Sequence, residues 1–427
     1  MLRLLLLLAL SLSANTRAEL VIEITEGIDD PIPVAFVPFQ WQGSGALPLE
    51  LADLIENNME RTGLFEGTPR GNMLSRPATG AEVVFRDWRL IETEYLVIGR
   101  VIPNGGQLSV EYELFDVFGQ ASLLSERIPG TAEQLRDIGH FISYRVFEKL
   151  TGKRGIFSTK LAYITVERRS EKDQTYRLMY ADADGARPIP IFQSDFPIMS
   201  PVWSPEGQRI AYVSYETGRP MIYIQELATG QKTLVADYPG QNTAPSFSPD
   251  GRRLVFSNSQ SGNAEIYVKN LRSGNLAQIT RSSAIDTEPR FSPDGDSILF
   301  TSTRAGNPHI YEYDVATGQS TRITFEGRYN SNPTYIPGDE RIAFVHQYDR
   351  DYQIAVMTPN QTDLQVLTAS GYDENPSPAP NGQMLVYATS NGGKGVLGIT
   401  SIDGRVNVLV PSNAGDVREP AWSPFLN

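Results

Sequence analysis

The 427-residue sequence has no cysteine at all. Disulfides, thiolate nucleophiles, thiolate metal sites and lipid attachment to a cysteine are therefore excluded, and packing must hold the chain together. Histidine is nearly as scarce. His140, His309 and His346 are the only three, and no two lie at ligand spacing, so they read as one helix residue and two strand residues. The sequence contains no Gly-x-Ser-x-Gly elbow, phosphate loop or dinucleotide fingerprint. Asp182-x-Asp184-Gly185 and Asp349-x-Asp351 have a faint likeness to calcium loops, but between strands Asp and Gly are ordinary turn formers. No catalytic residue, metal or cofactor is expected.

Long apolar runs are also missing, except at the start. Arg3, the run Leu4–Leu12 and the stretch Ser13–Ala18 fit a cleaved secretory signal over residues 1–18, although Arg17 stands unusually close to the cut. No later run is apolar enough to cross a membrane as a helix, so an exported, soluble mature product is expected. Basic residues are under-represented. Without Arg3 and Arg17 the count is 35 basic against 50 acidic, a charge of −15 where the whole chain has −13. Nucleic acid and anionic membrane surfaces are poor partners for such a chain.

What is present is a repeat. Pro245-Ser246-Phe247-Ser248-Pro249-Asp250-Gly251 recurs, whole or degraded, at Pro201, Pro289, Pro333, Pro376 and Pro420, with spacings of 44, 44, 44, 43 and 44. A period near 44 marks an array of β units such as propeller blades. Ser-Pro-Asp-Gly suits a tight turn, because Pro presets φ, Asp bonds its own backbone and Gly takes the positive φ. The aromatic residue anchors between stacked sheets. The leading proline lacks an N–H and belongs on a strand with one unpaired edge, as beside a central channel. The degraded copy Tyr335-Ile336-Pro337-Gly338-Asp339 departs most from the pattern.

Before residue 152 the pattern differs. Leu20–Ile24 and Val34–Phe39 read as strands, Leu49–Arg61 as an amphipathic helix, and Ala81–Ile91 as a second helix presenting Val84, Trp88 and Ile91 on one side. Strands follow at Tyr95–Ile102 and Leu108–Val117, joined at Asn104-Gly105-Gly106, with a third at Ala121–Ile128. Thr131 and Gln134 make a capping-box start to a helix striped by Leu135, Ile138, Ile142, Val146, Phe147 and Leu150, which Gly152 ends. The expected organisation is a signal peptide (1–18), an α+β domain with a mixed sheet (19–152), a linker (153–156) and an all-β six-bladed propeller (157–427). Six strand triplets follow the linker, but the first has no Pro-x-aromatic strand before it. The sixth such strand, Arg418–Ser423, has no triplet after it, so it is expected to complete the first blade and close the ring.

The segments leading into the six Pro-x-aromatic strands all open at one mouth of such a ring. They carry Asn242, Thr243, Thr287, Glu288, Asn330, Ser331, Asn332, Asp373, Glu374 and Asn375, a set of short polar side chains suited to protein docking.

On Val37–Trp41, Phe147–Gly152, Met199–Pro205, Ala244–Gly251, Thr287–Pro289, Asp373–Pro376, Ala379–Gly382 and Pro420–Pro424 the chain resembles the TolB family of the Tol–Pal envelope system, from about Glu19 to Asn427. The resemblance implies a periplasmic, non-enzymatic interaction protein that meets the envelope membranes only through partners. It implies that the outer-membrane lipoprotein Pal docks on the rim of Asn242, Thr243, Ala244, Thr287, Glu288, Asn330, Ser331, Asp373 and Glu374. It implies that inner-membrane TolA takes the mature N-terminal residues Glu19, Leu20, Val21, Ile22, Glu23 and Ile24, in a role in outer-membrane integrity and invagination during division. The alternative reading is a periplasmic propeller enzyme or glycan binder. The first would need acid/base groups or metal ligands facing the channel, the second exposed aromatics such as Phe196, Tyr238 and Tyr329.

Overall fold

The computed structural model describes residues 22–23, 31–170, 173–359, 361–410 and 415–426. The expected signal peptide, together with Glu19, Leu20, Val21 and Ile24, lies outside the described residues. Among the described residues no helix is long and apolar enough to cross a membrane.

The N-terminal region is built on a mixed sheet. Ile32–Phe36 lies parallel to both Phe65–Gly67 and Tyr95–Asn104, and Gln107–Asp116 and Ala121–Gly130 add antiparallel strands. Two glycines with positive φ, Gly105 and Gly106, close the tight hairpin that the sequence suggests. Helices α1 (Leu51–Glu60) and α3 (Leu135–Thr151) cover one face, where Leu51, Ile55, Val97, Val110, Ile142 and Val146 are fully buried. At the start of α3 the Thr131 N–H donates to Gln134 Oε1 at 3.0 Å, one half of the expected capping box. Gly152 (φ 72°) ends α3 in the left-handed conformation, its N–H donating to the Glu148 carbonyl. The second helix is shorter than expected. A 3-10 turn at Gly80–Glu82 gives way at extended Val83 to α2, which runs only over Phe85–Leu90. Trp88 is buried and Ile91, just past the helix, packs half-buried against the same core cluster, whereas Val84 precedes the helix and is exposed, so the anticipated stripe loses only its first member.

The rest is a six-bladed propeller of antiparallel sheets. In blades two to six the innermost strands are Ile198–Trp203, Asn242–Phe247, Asp286–Phe291, Tyr329–Tyr335 and Glu374–Pro378. Blade one takes its innermost strand from the far end of the chain. Asp416–Trp422 pairs with Lys160–Arg168, Trp422 opposite Leu161 and Asp416 opposite Val166, which closes the ring as expected. The seam is also tied by side chains. Trp422 Nε1 donates to Thr159 Oγ1 at 2.8 Å, and Ser423 Oγ accepts from the Lys160 N–H at 2.9 Å.

The turn chemistry appears at atomic level. Ser248 Oγ accepts from the Arg253 N–H at 2.9 Å and donates to Asp250 Oδ1 at 2.5 Å, while Gly251 sits at φ 66°. Trp203, Phe247, Phe291 and Trp422 are buried between neighbouring blades. In the degraded copies Ile336 and Ala379 replace that serine and are themselves buried, so packing takes over from the hydroxyl bond.

Residues 22–23 do not join the sheet of the N-terminal region. Ile22–Glu23 lies as a fifth strand on the outer edge of blade six, with Ile22 opposite Val408 and Glu23 opposite Asn407.

Removing residues 418–427 should leave blade one without its inner strand and without a buried tryptophan, a loss that alone costs about 3–5 kcal/mol. The expected result is a thermal midpoint far below that of the full chain. A cooperative melt at the full-length temperature would contradict closure by this strand.

Candidate docking mouth of the propeller

A single backbone feature repeats around the channel. Ser200, Ala244, Glu288, Asn332, Asn375 and Glu419 each stand just before the repeat proline, and all six have φ between 48° and 55°. Every innermost strand shifts register at this point, between Met199 and Val202 in blade two and correspondingly in the others. Left-handed non-glycine residues each carry about 1–3 kcal/mol of strain, so the surroundings must compensate. Side chains link one blade's residue to the next. Glu288 Oε2 accepts from the Asn332 N–H and from Thr301 Oγ1, each at 2.7 Å. Asn332 Nδ2 donates to Asn375 Oδ1, and Glu419 Oε2 accepts from the Ser200 N–H. Together they form a girdle inside the mouth.

The electrostatics of the girdle follow from its enclosure. Burial, with the neighbouring Glu374 carboxylate, pushes the Glu419 carboxyl up to about 7 against the lowering pull of the Ser200 bond. Arg290, on the innermost strand of blade four, donates to the carbonyls of Pro245 and Pro289 at 3.3 Å. Burial lowers its guanidinium, while the fields of Glu288 and Glu419 hold the charge in place. Glu419 belongs to blade one, across the ring, so this influence acts through the channel.

The rim residues anticipated from sequence divide into two groups. Asn242, Asn330 and Asp373 are wholly buried, each at the first or neighbouring position of an inner strand. Their polar atoms tie down the preceding loop: Asn242 Nδ2 donates to the Tyr238 carbonyl at 2.8 Å, and Asn330 Nδ2 to the Glu326 carbonyl at 2.8 Å. Asp373 accepts from Ser370 Oγ. Ala244 and Ser331 are buried as well, whereas Thr243, Thr287 and Glu288 are half-buried and Glu374 is exposed. The exposed relief of the mouth comes instead from large side chains that the polar pattern did not single out: Met199, Ile285, Phe325 and Tyr372, with Phe196 beside them. Tyr238 and Tyr329 are half-buried, stacked on Phe256 and set edge-on to Tyr352.

At the other end of the propeller, Asp182, Asp184 and His140 place potential ligand atoms within 4.8 Å of one another. Cationic side chains already fill that space. Asp182 accepts from Lys160 at 2.5 Å, Arg187 at 2.8 Å and Arg136 at 3.1 Å, and Asp184 accepts from Arg136. Burial opposes ionisation of Asp182, yet bonds from His140, Arg187 and Lys160 hold it well below the usual carboxylate range. Arg136 and His140 lie on α3 and Asp182 ends a strand of blade one, so the cluster joins the two regions. A salt bridge of 2.5 Å between Arg187 and Asp137 extends it. The calcium-like spacing thus serves a turn, with the Gly185 N–H donating to the Asp182 carbonyl at 2.8 Å.

Replacing Glu419 by Gln keeps an acceptor for Ser200 and removes the charge. In the folded chain Glu419 titrates near 7 against about 4.5 when unfolded, so the native state holds a proton that the unfolded state has lost. Its contribution therefore falls as pH rises from about 4.5 to 7, by about 1–3 kcal/mol. Melting curves at pH 5 and 8 should show the variant losing less stability with rising pH than the parent. Parallel pH dependence in the two proteins would refute the assignment.

Comparison with known proteins agrees with this architecture. Residues 20–123 match the TolB amino-terminal domain, and residues 147–426 match the TolB beta propeller domain. The Tol-Pal system protein TolB of Pseudomonas syringae pv. syringae is 56% identical over 406 residues, covering 95% of this chain and 94% of that protein. That of Pseudomonas aeruginosa is 53% identical over 422 residues, covering 98% of each. The crystal structure of TolB from Acinetobacter baumannii superposes with a TM-score of 0.87 at 38% identity, covering 95% of this chain and all of that one. With a two-part fold, a girdled propeller mouth and this likeness along nearly its whole length, the chain belongs to the TolB family of Tol-Pal system proteins.

Proposed function

We propose that this chain is a periplasmic, non-enzymatic interaction component of the Tol–Pal system, docking the lipoprotein Pal at the propeller mouth and TolA through its mature N-terminal segment. In this reading it couples the two envelope membranes, for outer-membrane integrity and for invagination during division. Family membership supplies the system. The observation that favours the mouth is the set of exposed Phe196, Met199, Ile285, Phe325 and Tyr372 around a rigid polar girdle. Large apolar anchors over a polar, pre-organised base suit a protein partner better than a small solute. The half-buried Thr243 and Thr287 and the exposed Glu374 would supply polar contacts between those anchors, while Asn242, Ala244, Glu288, Asn330, Ser331 and Asp373 would hold the rim in shape.

The reading of residues 19–24 as the TolA segment is favoured by their position. A terminal strand held at the edge of blade six by a two-residue backbone pairing, Ile22–Glu23, is weakly tied and has main-chain groups that another sheet edge could take. The mature product would reach the periplasm by cleavage of residues 1–18.

Substituting Tyr372 and Phe196 by Arg should weaken Pal binding at least tenfold in a titration while leaving the melting temperature within a few degrees, because both side chains are largely exposed. Undiminished Pal affinity across such substitutions would move the interface elsewhere. Deleting residues 19–26 should abolish TolA binding and spare Pal binding, and full TolA affinity in that protein would sink the N-terminal assignment.

A further inference from the structure

We propose that His309 makes the rim loop 324–332 acid-sensitive: a proton on its Nδ1 breaks the hold that Asn330 has on this loop and opens it at the mouth. His309 lies on the strand Asn307–Asp314 of blade four and His346 on Ile342–Tyr348 of blade five, with Asn330 between them. All three side chains are at most 5% exposed.

The hydrogen bonds fix every proton in this trio. Asn330 Nδ2 sits 2.8 Å from the Glu326 carbonyl oxygen, which can only accept, so the amide nitrogen must point that way. The same nitrogen is 3.0 Å from His309 Nδ1, which therefore offers a lone pair, and neutral His309 carries its hydrogen on Nε2. Asn330 Oδ1 is 2.8 Å from His346 Nδ1, which therefore carries a hydrogen. One asparagine thus imposes opposite tautomers on the two imidazoles.

The consequence is asymmetric. A second proton on His346 goes to Nε2 and leaves its bond to Asn330 intact. A second proton on His309 must go to Nδ1, where it meets the Asn330 N–H donor. Turning the amide over sets its oxygen against the Glu326 carbonyl and its nitrogen against the His346 N–H. The next acceptor, Thr324 Oγ1, is 3.4 Å from His309 Nδ1 and already accepts from the Ile310 N–H at 2.9 Å. The second lone pair of that hydroxyl, at this long distance, is what remains to take the new proton, and it does not replace the bond that Asn330 loses.

Two charged groups face the trio, with the imidazoles facing each other. Arg322, on the outermost strand of blade four, faces His309, and Glu326, on the loop itself, faces His346. Burial, then Arg322 and His346, pushes His309 down to about 4; burial lowers His346 against the opposing field of Glu326. Once the loop opens, His309 meets water and titrates near 6.5. The open form therefore binds more protons between those values, and its population rises as pH falls, by roughly tenfold per unit from about 6.5 to 4. In blade three the place of His309 is taken by the Pro220 carbonyl, which accepts from Asn242 Nδ2 at 3.2 Å, and that of His346 by Asn258, which donates to Asn242 Oδ1 at 3.0 Å; neither group titrates.

The consequence for docking, a weaker grip on the mouth partner in acid, rests on the function proposed above, whereas the opening does not. The test is hydrogen–deuterium exchange of the full chain with no partner, at pH 6.5 and 5, corrected for the intrinsic exchange rate. Protection of residues 324–332 should fall about tenfold or more, while residues 237–242 hold. His309→Gln, whose Oε1 can accept from Asn330 and does not titrate, should abolish the response, and His346→Gln should keep it. Unchanged protection in the parent at pH 5, or an equal loss in His309→Gln, overturns the proposal. Should His309→Gln melt early, the imidazole resonances of the parent decide: His309 titrating near 6.5 without loop exchange also overturns it.

Discussion

Everything in the propeller depends on one antiparallel seam between residues 416–422 and 160–168, which are separated by almost the whole β region. Each blade packs its aromatic anchor against the next, so an open ring would expose apolar faces at both ends. The seam removes both ends at once. Its strand pairing, the Trp422 bond to Thr159 and the Ser423 bond to Lys160 act on the same few residues, so they form and fail together. Closure also fixes the distance across the channel, and that fixed distance lets a residue of blade one act on one of blade four.

The channel wall shows how the closed ring sustains local strain. Six residues in a conformation that side chains disfavour would not persist in an isolated hairpin. Here each lies between a proline that offers no N–H and, where the side chain is long enough, a carboxylate or amide that reaches the next blade. Glu288 and Glu419 accept from backbone N–H groups of neighbouring blades that the bulge would otherwise leave unpaired. Ser200 and Ala244 are too short to reach onward, so the girdle is strongest around blades four, five and six and at the seam.

The junction between the two regions follows a different rule. Asp182 is 2% exposed and still charged, because three cationic side chains and an imidazole converge on it from α3 and from blade one. A buried ion cluster of this kind contributes little net stability but penalises any displacement that leaves a charge unpaired. It therefore orients the N-terminal region on the propeller, leaving the mouth at the opposite end free.

The sequence by itself determined the repeat, the blade number and the closing strand, because turn residues and aromatic anchors act locally and recur at a fixed period. Thr131 with Gln134, Gly152, and the Gly105-Gly106 hairpin were legible for the same reason. The rest needed tertiary structure. Asn242, Asn330 and Asp373 look like surface polar residues in sequence, and only the packing of adjacent blades buries them against their own loops. Asp182 and Asp184 look like turn formers with a hint of metal binding until α3 brings Arg136 and His140 to them. The left-handed residues before each proline carry no consistent signal, being Ser, Ala, Glu, Asn, Asn and Glu, because closure of the ring and not side-chain preference holds them there. Likewise Ile22–Glu23 shows a strand pattern, but its partner at Asn407–Val408 lies almost four hundred residues away, and pairing at that separation is set by where the fold places an open edge.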